Sequence, residues 1–223
     1  MEYYNAKRRI NAYLNENTHI DHQAYQPVVV VVLVVVYLNN NYWGVYNFRE
    51  KFSKHYLKQN HLKLTGKIDL LENDSQVKSA DNNHYTELIN FIKNNDLQND
   101  SNYKQIQNWI DLLNFIDYYC AQIYFANTDW PGKNVKFWRA KNEPSKWRCF
   151  LHDTDLGFAL APIWGFPGGL EHNTIDFALN DGSTEFHNQA WSTLLFRSLL
   201  TNSNFKNTFL NSFAGHLNST FHL

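Results

Sequence analysis

Nine aliphatic residues in a row, Val28 to Val36, followed by Tyr37 and Leu38, constrain this chain more than any other stretch. A bilayer-spanning helix needs about 20 apolar residues, roughly twice what this run offers. All but Leu33 of the nine are valine, and β-branched side chains favour a strand. At about 3.3 Å per residue the run would reach roughly 36 Å, longer than most strands. A strand without polar alternation is either covered on both faces or overhangs its sheet. It also has the composition of an aggregation-prone segment. Asn39, Asn40 and Asn41 follow as a turn, because Asn tolerates positive φ. Tyr42 to Phe48 then reads as the second strand of a hairpin.

The chain has 223 residues, 43% of them hydrophobic and 16% aromatic. That is enough for one large domain, or a two-lobed one, with a sizeable core. A net charge of −1 and a pI near 6.8 give no basic surplus for nucleic acid and no polybasic segment for anionic membrane. Cys120 and Cys149 lie within apolar runs without CxxC or metal-ligand spacing, so both read as buried free thiols. The N-terminus has neither an apolar core segment nor a small-residue cleavage site, so no signal peptide is expected and the compartment stays open.

Residues 1–15 carry a weak helical stripe. Phe52, Tyr56 and Leu57 mark a helix after Lys51. Ile68 to Leu71 reads as a short strand, 73–83 as a polar loop, and Tyr85 to Asn94 as a helix. From Asn102 to about Ala126, Ile106, Trp109, Ile110, Leu113, Ile116, Cys120 and Ile123 recur at three and four, which predicts one long amphipathic helix. Val135–Arg139 and Trp147–Leu151 read as a strand pair around the turn at 141–145. Residues 161–181, rich in Gly, Pro and aromatics, read as a long functional loop. Trp191–Leu200 and Asn204–Leu217 read as helices.

The chemistry gathers around the predicted hairpin. Asp129 and Asn134 stand five apart on a Pro-Gly loop before it, and Asp153 and Asp155 follow it. Helix, D-x-x-x-x-N loop, two short strands and an acidic turn is the order found in the C-terminal lobe of protein kinases. Phosphoryl transfer needs a carboxylate to orient the acceptor hydroxyl and hard oxygens to hold magnesium against the phosphates. Asp129 suits the first task; Asn134, Asp153 and Asp155 suit the second. Two residues apart on a strand, Asp153 and Asp155 would face the same way, so either or both could be ligands. His152 reads as a packed imidazole, Lys133 and Lys136 as solvated loop lysines, and Trp43, Trp130 and Trp138 as core or lobe-packing residues rather than a sugar platform.

Several stretches resemble the CotH kinase family, the spore coat protein H group. They are Tyr-Leu-Asn-Asn-Asn-Tyr-Trp-Gly-Val-Tyr-Asn-Phe-Arg-Glu-Lys (37–51), Ile-Asp-Leu-Leu-Glu-Asn (68–73), Ala-Gln-Ile-Tyr-Phe-Ala-Asn-Thr-Asp-Trp-Pro-Gly-Lys-Asn (121–134) and Asp-Thr-Asp-Leu-Gly-Phe (153–158). Shorter ones are Glu-His-Asn-Thr (171–174), Trp-Ser-Thr-Leu-Leu-Phe-Arg-Ser-Leu-Leu (191–200) and Leu-Asn-Ser-Thr-Phe (217–221). The resemblance runs from about Tyr25 to Phe221. It implies an α+β, atypical protein-kinase-like two-lobed fold, ATP and magnesium as cofactors, and phosphorylation of serine on bacterial spore-coat or surface proteins.

By position, Asp129 matches the family's catalytic aspartate, Asn134 the asparagine five later, and Asp153 the metal-binding aspartate of its D-x-D. Arg49 and Glu50 match its Arg-Glu motif, which implies a nucleotide-side or helix-positioning role. The resemblance places the whole chain in one domain: about 25–75 as the remainder of an N-lobe, and about 85–223 as a helical C-lobe with the catalytic loop. An N-terminal segment with an Arg-Asn…Asp motif, usual in the family, has no counterpart here, so the N-lobe is expected to be incomplete. The valine run is longer than the family's strand, and Asn41 stands where the family favours Gly. A non-catalytic coat or cell-surface protein that keeps the kinase-like fold is therefore the alternative expectation.

Overall fold

In the computed structural model, residues 32–48, 51–60, 64, 66–141, 145–158, 160, 168–180 and 188–221 are described. The N-terminal helix expected over 1–15 and the valines at 28–31 lie outside them. The chain divides into two compact units, residues 1–65 and 66–223. It is a mixed, α+β protein: seven helices and two small antiparallel sheets among the described residues.

The first unit holds the hairpin. Strand β1 (Val32–Leu38) pairs antiparallel with β2 (Asn41–Phe48). The turn residues Asn39 and Asn40 both have positive φ, 50° and 65°, the backbone of a type I′ turn whose twist matches the strands it joins. A register shift after Val36 leaves Tyr37 opposite Tyr42, with their rings 5.9 Å apart. Cover on both faces is not what the strand has: Leu33 is 71% exposed and Val35 57%. Nor does the described part of the run overhang its sheet, because every residue from Val32 to Leu38 is paired with β2. Helix α1 (Lys54–Asn60) follows, with Tyr56 and Leu57 buried as expected.

The second unit is built on a four-stranded sheet ordered β4-β3-β5-β6, every pair antiparallel. Strand β3 (Ile68–Glu72) is central, and β4 (Gln76–Ser79) folds back on it. The expected polar loop at 73–83 thus contains a strand. Its tight turn uses positive φ at Asn73 and Ser75, and its side chains are mostly exposed, which is why composition hides it. Strands β5 (Lys136–Ala140) and β6 (Arg148–Phe150) form the expected hairpin.

Helices α2 (Asn83–Asn94), α3 (Asp100–Trp109) and α4 (Leu112–Tyr124) follow β4 and precede β5. The single long helix expected from 102 to 126 is two. Ile110 turns extended, and the backbone leaves the helix to meet the sheet: Trp147 N–H donates to Trp109 O at 2.7 Å and Asp111 N–H to Trp147 O at 3.0 Å. Asp111 then starts α4, its Oδ1 accepting from Asn114 N at 3.3 Å while Arg148 Nε donates to Oδ2 at 2.8 Å. Apolar periodicity survives the break because both pieces bury their stripes in one core. Asn114, buried on α4, docks the helix on the last strand: Cys149 N–H donates to Asn114 Oδ1 at 2.7 Å, and Asn114 Nδ2 donates to Cys149 O at 3.5 Å. Strand β6 is an edge strand, so these two bonds satisfy groups no neighbouring strand pairs.

Helices α5 (Thr174–Leu179), α6 (Ala190–Leu200) and α7 (Ser203–Asn218) complete the unit. Helix α5 corrects the loop expected over 161–181. Asn173 caps it, accepting from Ile175 N and Asp176 N, an Asx signal masked by the Gly-rich surroundings. The core joins α4 to α6 and α7 through aromatic rings: Tyr119 stacks on Phe196 at 4.1 Å, and Phe205 and Phe209 are buried beside it. Each such ring contributes on the order of 1.5–3 kcal/mol by leaving water. Cys120 and Cys149 are buried free thiols, as expected. Burial pushes the Cys120 thiol up to about 12 and raises Cys149 as well, so neither is a reactive thiolate. No described helix is long and apolar enough to cross a membrane.

Candidate active site

Helix α4 ends where the site begins. Phe125 closes it and Ala126 turns left-handed, with φ 50°, the usual exit from a helix. The chain enters the Asp129 loop through Asn127, which is fully buried. Asn127 Nδ2 donates to Gln122 Oε1 at 2.8 Å and to the Asp153 carbonyl at 3.3 Å. Its Oδ1 accepts from Asp129 N at 3.2 Å. One side chain therefore ties together α4, the backbone of Asp129 and the backbone of Asp153.

Asp129 and Asn134 are brought together: Asn134 Nδ2 donates to Asp129 Oδ2 at 2.7 Å. Both are half-buried, and Asn134 has φ 54°, a left-handed backbone that Asn accepts more readily than most residues. Trp130, 1% exposed, anchors the loop against Tyr118 and Tyr119, and the Trp130–Pro131 peptide is cis. On the far side Asn73 N–H donates to Val135 O at 2.8 Å, fixing the loop's exit to the end of β3.

Asp153 and Asp155 are not strand residues. Strand β6 stops at Phe150, and both carboxylates lie in the turn beyond it, exposed, with Asp153 at φ 56°. The same-face argument from strand alternation therefore does not apply to them. The turn is instead seated by backbone contacts. Leu156 O accepts from Thr128 N at 3.2 Å and from Thr128 Oγ1 at 3.1 Å. Phe158 N–H donates to Phe125 O. At Gly157 a Cβ would stand 2.7 Å from that same carbonyl, so only glycine permits the approach.

Arg49 and Glu50 lie outside the described residues. Lys136 pairs with Glu72 at 3.3 Å, and Lys78 reaches the same carboxylate at 2.6 Å; Lys136 is thus an anchored strand residue rather than a solvated one. Burial is the largest influence on Glu72 and pushes its pKa up, but the two lysines outweigh it and hold the carboxyl below its usual range. His152 is a packed imidazole: burial, aided by Lys136, lowers it to about 4. Trp130 and Trp138 are core residues, whereas Trp43 is 61% exposed, which corrects the packing role expected for it. Residue type alone does not single out Asn127, Thr128 and Gln122. A signal for Asn127 exists, an Asn two residues before Asp129, the spacing at which an Asx side chain bonds its own backbone. Gln122 reads as one polar residue in an apolar helix.

The half-buried carboxylate with its amide clasp and the exposed acidic turn thus share one anchor, the Asn127 side chain. Among curated proteins none matches the chain. The family described as CotH kinase protein matches residues 12–223, nearly the whole length, and the chain belongs to that family.

Proposed function

We propose that this chain is an atypical protein kinase that transfers the γ-phosphoryl group of ATP to serine or threonine hydroxyls of a protein. The observation that carries the reading is the Asn134–Asp129 hydrogen bond at 2.7 Å, which holds a carboxylate in one orientation at the mouth of a loop. Family membership suggests kinase-like function and supports it. Asp129 orients the acceptor hydroxyl and takes its proton as the hydroxyl oxygen bonds to the γ-phosphorus. The bond from that phosphorus to the bridging oxygen breaks, and its electron pair leaves with ADP. Asn134 Oδ1 and the Asp153 carboxylate, with Asp155 as a further donor, are the hard oxygens suited to magnesium. Magnesium, when bound, offsets the charge of the phosphates.

Arg49 and Glu50 take the nucleotide side or position a helix there. In this reading residues 1–223 form a single domain, a kinase-like two-lobed fold with about 25–75 as the remainder of the N-lobe and about 85–223 as the C-lobe. The protein substrate is a serine-containing coat or surface protein. Calorimetry and transfer of labelled phosphate test the reading together. Wild type should bind Mg-ATP saturably, Asp153→Ala should lose that binding, and Asp129→Ala should lose transfer by about 10²–10⁴-fold. Normal incorporation of labelled phosphate by Asp129→Ala would sink it.

A second reading, a non-catalytic coat or surface protein that keeps the fold, draws on the hairpin. Leu33, Val35, Tyr37, Trp43 and Val45 are all more than half exposed, an apolar ribbon suited to a partner. Absence of saturable Mg-ATP binding by wild type would favour it.

A further inference from the structure

A cleft of about 770 Å³ opens between α2 and α6 in the unit that carries Asp129. Along α2, Tyr85, Ile89 and Lys93 recur at four and line one wall; along α6, Trp191, Leu194 and Arg197 recur at three and line the other. A narrower gap continues inward, lined by Tyr85 and Trp191 together with Trp130 and Pro131 of the Asp129 loop. The first turns of both helices therefore meet over the back of that loop, and each helix leads away from it toward a cation. Lys93 is eight residues beyond Tyr85, about 12 Å along the axis, and Arg197 six beyond Trp191, about 9 Å. Asp74 lines the cleft as well. It follows Asn73, which bonds Val135 beside Asn134.

The cleft is thus polarised. One carboxylate and the Tyr85–Trp191 aromatic floor stand at the end nearest the active loop, Ile89 and Leu194 lie in the middle, and two cations stand at the far end. Arg197 is held at its rim by Nε donating to Thr193 Oγ1 at 3.0 Å. Lys93 is exposed. A length of about 12 Å spans three to four residues of extended polypeptide at about 3.3 Å each. We propose that this cleft docks the acceptor polypeptide, seating an apolar or aromatic side chain on the Tyr85–Trp191 floor and acidic side chains against Lys93 and Arg197. The identity of the occupant as acceptor rests on the kinase reading; the binding itself does not.

Fluorescence anisotropy with the full chain tests this. The probe is a labelled peptide with one serine, one phenylalanine and two aspartates beyond it; the control has lysines in place of the aspartates. Wild type should bind the acidic peptide saturably and in preference to the basic one. Lys93→Glu, an exposed change that leaves the core alone, should bind the acidic peptide about tenfold more weakly and reverse the preference. No saturable binding, equal binding by wild type and Lys93→Glu, or a dimer of the chain that Lys93→Glu dissociates would each overturn the proposal. The two readings separate cleanly. If the acidic peptide binds but receives no phosphate from Mg-ATP, the kinase reading fails and the cleft stands. If it is phosphorylated with a KM that Lys93→Glu does not move, the cleft fails and the kinase reading stands.

Discussion

The two loops that flank the β5–β6 hairpin carry the candidate acids by different means. The loop before it is specified by side chains: Asn127, Thr128 and Trp130 are buried, and Asp129 is clasped by Asn134. The turn after it is specified by backbone: Asp153 and Asp155 are exposed, and the contacts of Leu156, Gly157 and Phe158 hold it against Phe125 and Thr128. The difference fits two chemical tasks. A carboxylate that orients one hydroxyl profits from a fixed rotamer, whereas magnesium keeps several waters and tolerates ligands that face solvent. Asn127 is where the two strategies meet, because it bonds the backbone of both.

The most damaging single change to this arrangement is therefore Asn127→Ala. It strips partners from Asp129 N–H, the Asp153 carbonyl and Gln122 Oε1 at a fully buried position. A loss of about 3 kcal/mol is expected, since one unpaired buried group alone costs about 1–3 kcal/mol. Urea denaturation measures it. Mg-ATP binding should fall too, although Asn127 touches neither ligand in the proposed site. A variant with wild-type stability and wild-type Mg-ATP affinity would show that the loops are not coupled through this side chain.

Gly157→Ala attacks the second loop alone. The added Cβ meets a backbone carbonyl, Phe125 O, at 2.7 Å, and a carbonyl at a helix end cannot swing aside as a flexible side chain can. Displacing the turn should cost about 1–3 kcal/mol, the range for overpacking. The weakening of Mg-ATP binding should exceed any loss of order at Asp129, which amide exchange at Asp129 and Asp153 would resolve.

These two positions also mark the limit of what the sequence discloses. Elements with a strong apolar pattern are legible: β2, β3, the β5–β6 pair, α2, α6 and α7 lie close to where pattern puts them. The break at Ile110–Asp111 is not, because an extended residue that joins a sheet leaves the apolar spacing on either side intact. Strand β4 and helix α5 are hidden for the opposite reason, having too little apolar pattern in polar or Gly-rich surroundings. Within the site, residue types and spacing single out Asp129, Asn134, Asp153 and Asp155, but not the side chains that hold them. Asn127 reaches Asp153 across 26 residues of chain, a contact that exists only once α4, β5 and β6 have packed, and Gln122 enters the site only through Asn127.

The two exposed acids of the second loop are held differently. Asp153 has its carbonyl fixed by Asn127, whereas Asp155 lies in the turn that follows. In calorimetric Mg-ATP titrations, Asp155→Ala should weaken binding about tenfold, the scale of removing an outer partner of a metal site. Asp153→Ala should abolish it. Equal losses would make both residues direct ligands, and the reverse order would exchange their roles.

The smallest effect belongs to the ion pairs at the exit of the first loop. Glu72 and Lys136 are cross-strand partners on β3 and β5, and Lys78 binds the same carboxylate. Because the folded state holds the Glu72 pKa below its ordinary 4.5, the folded chain binds a proton there less readily than the unfolded chain. Stability from this source is then fully present above about pH 4.5 and is lost as pH falls through the lower, folded value. Partly solvated pairs of this kind contribute about 0.2–1 kcal/mol. Glu72→Gln should lose that amount at neutral pH, as read by urea denaturation. Below the folded pKa, where wild type has given up the charge as well, the two curves should converge. A gap that persists in acid would mean that Glu72 acts through packing and hydrogen bonding to Lys78 rather than through charge. The exit of the Asp129 loop would then depend on the same neutral contacts that build its entrance at Asn127.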